Sequence, residues 1–258
     1  MKLRGYFQHL KSILGLGFQL AKANFKLRNE GSYLGIFWYL LEPFLLFLII
    51  LLIKATFSIE GIANYPLYLL MGLIMFNFFT GITSKCTNLI TANSSFIKSM
   101  KINYESLVIS QVLEGVFAHF FEIILFILFM ILYKLSVIGI LFYPLIFILF
   151  FLFVLGIGFI LSTIGVYIND LNNIWRVITR FLFFATPLFY VIAVGSLIYK
   201  ANLVNPMYYF ITISRDLIIY NKIPDLWMIS VLIGISLVTF LVGVYIFEKF
   251  KYKFPELV

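Results

Sequence analysis

The chain has 258 residues, of which 63% are hydrophobic and 12% charged, with a formal net charge of +8 and a mean hydropathy of +1.06. That leaves too little polar surface to cover a water-soluble particle of this length. Its one cysteine, Cys86, excludes an intrachain disulfide and a thiolate metal cluster built within one chain.

The first 30 residues carry scattered charges and lack the short apolar core and small-residue cleavage site of a removed signal peptide, so the first span is expected to be its own insertion signal. Phe7, Leu10, Leu14, Phe18, Ala21 and Phe25 share one side of a helix, with Gln8, Ser12, Gln19, Lys22 and Lys26 on another. This pattern predicts an amphipathic helix on the cytoplasmic interface, acting as a lipid anchor or as a lever on the first span. The segment 1–35 is therefore read as an N-terminal interface element and 36–258 as one transmembrane domain. Poor helix formers from Asn29 to Ser32 predict a break near Gly31.

Hydropathy places six spans at about 36–57, 65–88, 105–133, 139–166, 174–198 and 226–248. The expected fold is an all-α polytopic membrane protein. In span one, Glu42 precedes Pro43. The second loop, TANSSFIKSMKINY, predicts a short helix capped by Ser94 or Ser95, with Phe96, Ile97 and Met100 as exposed apolar knobs beside Lys98 and Lys101. Such a helix suits docking of a soluble partner or rest on lipid headgroups. Span three holds Glu114, His119 and Glu122, whose alternatives are pairing inside the bundle, a polar conduit or a proton relay.

Arg176 and Arg180 lie one turn apart at the start of span five, just after Asn169-Asp170. They suit headgroup anchoring or contact with anionic substrate groups. Span five conflicts with Pro187, which removes a backbone donor and frees a carbonyl. Asn205 and Pro206 then form a helix start, with Asn as cap and proline at the first helical position. The apolar helix that follows, Met207 to Tyr220, carries Arg215 and Asp216. A re-entrant helix–break–helix pair on the outer face is the expected arrangement between spans five and six.

Of the 19 Lys and Arg residues, 14 fall on one side of these spans, which predicts cytoplasmic termini in a multi-pass protein of the inner (cytoplasmic) membrane. Juxtamembrane bases meeting anionic lipid explain the net charge without nucleic acid. No Walker A sequence, His-Glu-x-x-His, rhomboid-like serine site or potassium filter is present. The chain is therefore expected to be no enzyme, and to transport with energy supplied from elsewhere.

The run Arg28-Asn29-Glu30-Gly31-Ser32-Tyr33-Leu34-Gly35-Ile36-Phe37-Trp38, continuing to Glu42-Pro43, resembles the Arg-Tyr-x-x-Ser-x-Leu-Gly-x-x-Trp approach to span one in ABC-2 type permeases. Gly72 with Phe76-Asn77-Phe78-Phe79, then Asn93 and Lys98, follows that family's second span and loop. Thr186-Pro187-Leu188-Phe189-Tyr190, Asn205-Pro206 and Arg215 resemble its outer region. The chain departs from the family at Asn29, Asn103-Tyr104 and Asn169-Asp170, where Tyr, Phe-Pro and Arg-Asp are common. The resemblance is to membrane subunits that export lipid-linked polysaccharides such as O antigen or teichoic acid.

It implies a homodimer of permeases and two copies of a separate ABC ATPase, which binds ATP and Mg while this chain holds no cofactor. Ser95, Phe96, Ile97, Lys98 and Lys101 would meet the ATPase. Glu42, Arg176, Arg180 and Arg215 would stand on the substrate path or its gates. A small-molecule or drug exporter on the same architecture is the alternative.

Overall fold

In a computed structural model, the chain is described at residues 2–30, 33, 35, 37–57, 62–99 and 103–257, except the side chains of 2–7, 9, 10, 39, 42, 56, 57, 96 and 99. The described residues form helices joined by turns and irregular segments, with no strand. In chain order the helices are α1 (Lys2–Asn29), α2 (Phe37–Phe57), α3 (Tyr65–Cys86), α4 (Leu89–Ala92), α5 (Ser94–Ser99), α6 (Tyr104–Leu132), α7 (Tyr143–Tyr167), α8 (Leu171–Ala185), α9 (Leu197–Asn202), α10 (Pro206–Ile218), α11 (Leu226–Phe250) and α12 (Phe254–Leu257). A 3-10 turn, Val137–Phe142, leads into α7, and another, Lys251–Lys253, links α11 to α12.

Four helical stretches are long and apolar enough to cross a bilayer: Tyr65–Cys86, Tyr104–Leu132, Val137–Tyr167 and Leu226–Leu257. The chain is thus an all-α polytopic membrane protein. The predicted first span is a helix with Pro43 in its interior and a shorter apolar stretch, Pro43–Ala55. The predicted fifth span does not continue to residue 198. It ends at Ala185, because Thr186 turns to an extended conformation (φ −80°, ψ 137°) before Pro187, as the restricted residue before a proline does.

Helix α3 is apolar all round and buried along most of its length, between α6, α7, α2, α8 and α10. Helices α7 and α11 form the most extensive pair, and their backbones touch. A Cβ on Gly156 would lie 2.5 Å from the Thr239 carbonyl oxygen, and one on Gly243 would lie 2.3 Å from the Gly156 oxygen. Small residues permit this approach, which replaces the hydrophobic drive that lipid cannot supply.

Helix α1 runs along the first half of α6. Ile13, Gly17 and Ala21 are buried there with Phe25 half-buried, an i, i+4 row. Ser106 Oγ donates to the Ile13 carbonyl at 3.0 Å, and Phe25 meets Phe117 edge-on at 5.6 Å. The row packed on α6 shares only Ala21 and Phe25 with the apolar side read from the sequence, and Leu14 and Phe18 remain exposed. Small side chains at Gly17 and Ala21 bring α1 closer to α6 than a row of large ones would. The expected break also forms, since α1 ends at Asn29 and α2 begins at Phe37; Gly31 itself lies outside the described residues.

Two ends of the bundle are distinguishable. One gathers α4, α5, the start of α6 and the end of α11, where Lys251 Nζ bridges Glu105 Oε1 at 2.5 Å and Glu248 Oε2 at 2.7 Å. Phe254 is fully buried beside them, edge-on to Tyr104 and Phe247. The other end gathers the start of α3, the segment after α8, and α9 and α10. There Lys54 Nζ sits 3.7 Å above the Tyr65 ring.

Candidate functional site

A polar cavity of ≈ 180 Å³ opens between α1, α2, α3 and α6, lined by Arg28, Pro43, Asn77, Lys85, Glu114 and Glu122 among others. Glu114, 5% exposed, is surrounded by donors. Lys85 Nζ stands 2.8 Å and Arg28 Nη1 3.5 Å from its Oε1, while Gln111 Nε2 donates to Oε2 at 3.4 Å. This one carboxylate thereby ties the end of α1 to α3 and α6.

Five residues on, at His119, the chemistry changes partner. His119 Nδ1 lies 3.0 Å from Glu122 Oε2, and its Nε2 lies 2.5 Å from the Tyr143 hydroxyl on α7. The imidazole stacks on Phe147 with ring centres 4.9 Å apart and planes 7° apart. Glu114 and His119–Glu122 are thus two separate pairings, the first reaching α3 and the second α7, with the cavity between them. Among the described residues no group of His, Cys, Asp and Glu could hold a metal ion.

At the other end, the break after α8 carries a dense set of hydrogen bonds. Consecutive carbonyls from Phe184 to Tyr190 all find donors. Tyr190 Oη donates to the Phe184 and Ala185 oxygens at 2.8 and 3.0 Å, and Asn202 Nδ2 also donates to Ala185 at 3.0 Å. The Leu188 N–H closes on the Thr186 oxygen at 2.7 Å. Arg215 donates to Pro187 from Nη1 at 2.7 Å and to Leu188 from Nη2 at 2.8 Å. Tyr65 Oη takes Phe189 at 3.0 Å, and Tyr68 Oη takes Tyr190 at 2.8 Å. A helix ended by proline inside the bundle leaves such carbonyls open, and burying them unpaired is costly.

Asn205 completes this end as expected of a cap. Its Oδ1 accepts from the Met207 N–H at 3.1 Å, and its Nδ2 donates to Thr186 Oγ1 at 2.8 Å. Arg215, 3% exposed, is placed as a brace of the break. Gly72 makes room for it, since a Cβ there would sit 2.5 Å from Nη2. Sequence reasoning found Pro187, Asn205 and Arg215 but missed Tyr65, Tyr68 and Asn202. The available signal was the string of carbonyls that Pro187 frees, which demands donors.

Arg176 and Arg180 are exposed on α8 and make no ion pair among the described residues. The opposite side of α8 is anchored by Trp175, whose Nε1 donates to Thr83 Oγ1 at 3.0 Å. Its outward face is apolar, with Ile174, Val177, Phe181 and Phe184 exposed. Glu42 lies in α2, its side chain outside the described residues.

The predicted docking helix forms as α5, but it starts at Ser94, one residue after Asn93, whose carbonyl accepts from the Ile97 N–H at 2.9 Å. The serines are therefore inside the helix rather than capping it. Ile97 is no exposed knob: it is 8% exposed and belongs to the core, because the short α4–α5 turn folds it back on the bundle. Ser95 and Lys98 face outward. The Phe96 side chain and Lys101 lie outside the described residues.

The sequence that builds these spans, the helix laid on α6 and the braced break is similar to those of known proteins. A profile of the ABC-2 type transporter family matches residues 16–219. An O-antigen export system permease protein, RfbA, of Myxococcus xanthus is 24% identical over 246 residues, covering 94% of this chain and 95% of that protein. Two RfbA permeases of Klebsiella pneumoniae are 28% and 27% identical, each over 92% of this chain and 93% of its own length. The chain belongs to the ABC-2 type transporter family, as a multi-pass membrane permease without ATPase activity of its own that is related to O-antigen export permeases.

Proposed function

We propose that this permease exports a lipid-linked polysaccharide across the cytoplasmic membrane, as half of a homodimer served by two copies of an ABC ATPase. The observation that carries the reading is the full-length likeness to permeases named for O-antigen export, in more than one organism. In this reading both termini are cytoplasmic, α2 and α8 add to the four long helices to make six membrane segments, and α9 and α10 re-enter from the outer face. The basic excess on one side supports that orientation.

ATP, with its Mg, is bound by the partner, which docks on the outward side of α5 through Ser95 and Lys98. Movement there passes to α7, because α4 and the turn before it press on that helix: a Cβ on Gly165 would meet the Thr87 carbonyl oxygen at 1.8 Å. Movement of α1 passes to α3 through Arg28, Glu114 and Lys85. The exposed apolar face of α8 suits a second copy, and Arg176 and Arg180 at its edge steer the anionic lipid carrier toward the entrance. Glu42 sits where α1's motion reaches the first membrane helix.

In-frame deletion of the coding region, with complementation, tests this. Loss of surface glycan with lipid-linked glycan accumulating inside the cell is the expected result. Unchanged surface glycan together with altered tolerance of a small toxic compound would replace polysaccharide with a small-molecule cargo.

A further inference from the structure

Tyr208, Thr212 and Asp216 follow at intervals of four on α10, and Tyr220 continues the row just past its end, so they share one face. Together with Val191 and Ile192 they line a cavity of ≈ 280 Å³ at the end of the bundle that holds the break. From Tyr208 to Asp216 the row runs roughly 12 Å, the reach of more than one sugar ring. Tyr220 is fixed at the wall by its hydroxyl, which donates to the Ala63 oxygen at 3.2 Å.

Two sets of polar groups at this cavity are left open. The Asp216 carboxylate is half-buried and has no hydrogen-bond or ion-pair partner among the described residues. On the facing segment, the carbonyls through Tyr190 are bonded, yet the N–H groups of Val191 and Ile192, which line the cavity, have no acceptor among the described residues. Irregular backbone with open donors is tolerated in a membrane protein only where it lines a wet or occupied cavity. The site therefore offers aromatic rings, one acidic acceptor and these neutral donors. An acyl chain would leave the carboxylate and the N–H groups unpaired. An anion would face Asp216, while the nearby Arg215 is already engaged by carbonyls. A single carboxylate beside an arginine is a poor cation site.

We propose that this cavity is a carbohydrate subsite at the exit, taking a neutral sugar unit whose C–H face lies on Tyr208 or Tyr220 and whose hydroxyls donate to Asp216 and accept from the backbone at Val191 and Ile192. The proposal rests on the polysaccharide-export reading and adds where the glycan is held as it leaves.

The test is protection from chemical labelling in intact cells. Thr212→Cys is placed in a Cys86→Ser background, and reaction with a membrane-impermeant maleimide is timed with export arrested by an ATPase-inactive partner. Cells making the glycan are compared with cells blocked in its synthesis. Labelling is expected to slow several-fold when glycan is present, and to regain its full rate when Asp216→Asn and Tyr220→Leu are added. Equal rates with and without glycan would overturn the subsite, as would absence of labelling in both, since the cavity would not open outward. Val191→Cys, at a position 63% exposed on the same cavity, carries the measurement if Thr212→Cys lowers the membrane level. The deletion strain separates the two claims: normal surface glycan there would sink the export reading itself, whereas lost glycan with equal labelling rates sinks only the subsite.

Discussion

The guanidinium of Arg215 lies 3.4 Å from the centre of the Tyr68 ring, while its Nε donates to the Tyr68 carbonyl at 3.0 Å. A buried cation without a carboxylate is held here by an aromatic face and three carbonyl oxygens, two of them freed by the break at Pro187. The brace joins α3, the end of α8 and α10 at one point.

Removing that brace exposes its worth. Arg215→Ala takes a donor from three buried carbonyls and leaves that of Leu188 unsatisfied, Pro187 keeping the Tyr68 hydroxyl at 3.2 Å and Tyr68 its place in α3, at about 1–3 kcal/mol for a buried group left without a partner. Arg215→Lys keeps the charge but loses the planar fork. Thermal unfolding in detergent is expected to rank wild type above Lys and Lys above Ala. Gly72→Ala should resemble the Lys variant, because its Cβ displaces Nη2. An unchanged Tm for Arg215→Ala would remove the arginine from this role.

Breaking the Lys85–Glu114 pair gives a smaller effect. Lys85→Met leaves Glu114 with the more distant Arg28 and the Gln111 amide, and because the Lys85 side chain is 40% exposed the expected cost is about 1–3 kcal/mol, below that of a fully buried pair. Lys85→Met with Glu114→Gln should be more stable than Lys85→Met alone. A double variant that loses the full sum of both single effects would show that the two side chains do not act on each other.

Local rules made the break legible and long-range ones hid its support. Pro187 and the Asn205-Pro206 cap are readable because proline geometry and capping act within a few residues. Tyr65 and Tyr68 stand more than a hundred positions before the carbonyls they hold, so nothing in the local pattern assigns them. The same limit explains Ile97, apolar and next to Lys98, which reads as an exposed knob until the α4–α5 turn is seen to fold it inward. In α1, composition marked the helix as amphipathic, but Gly17 and Ala21, which decide the face against α6, are the residues a hydropathy pattern weighs least.

Tight contact between α7 and α11 supplies a third prediction. Gly156→Ala and Gly243→Ala each push a methyl group into backbone, which cannot move aside as a side chain would, so the helices must part. A loss of about 1–3 kcal/mol is expected, read as a lower Tm or faster proteolysis of the solubilised permease. Wild-type stability for both would mean that the helices are further apart than described.

Position 97 and position 98 should behave differently. Ile97→Asp places a carboxylate in the core and is expected to lower the amount of permease in the membrane. Lys98→Glu, on the exposed side of α5, should leave that amount unchanged and reduce co-purification of the ATPase. Full co-purification with Lys98→Glu and Ser95→Glu together would place docking elsewhere.

Arg176 and Arg180 separate charge steering from specific clamping. Lysine at both positions keeps the field but not the forked donors, so near-normal glycan delivery with Lys and poor delivery with Ala is the expected pattern. Normal delivery by the double Ala variant would leave lipid headgroups as their only partners.

The central claim is ATP-driven movement of a lipid-linked polysaccharide through this permease. Its most direct test uses the permease co-purified with its ATPase, reconstituted into liposomes that carry the lipid-linked glycan accumulated by the deletion strain. Glycan that reaches the lumen escapes a glycosidase added outside. The account predicts a protected fraction that grows with ATP and stays at background with a non-hydrolysable analogue. Equal protection with and without hydrolysis, in vesicles whose ATPase is active, would contradict it.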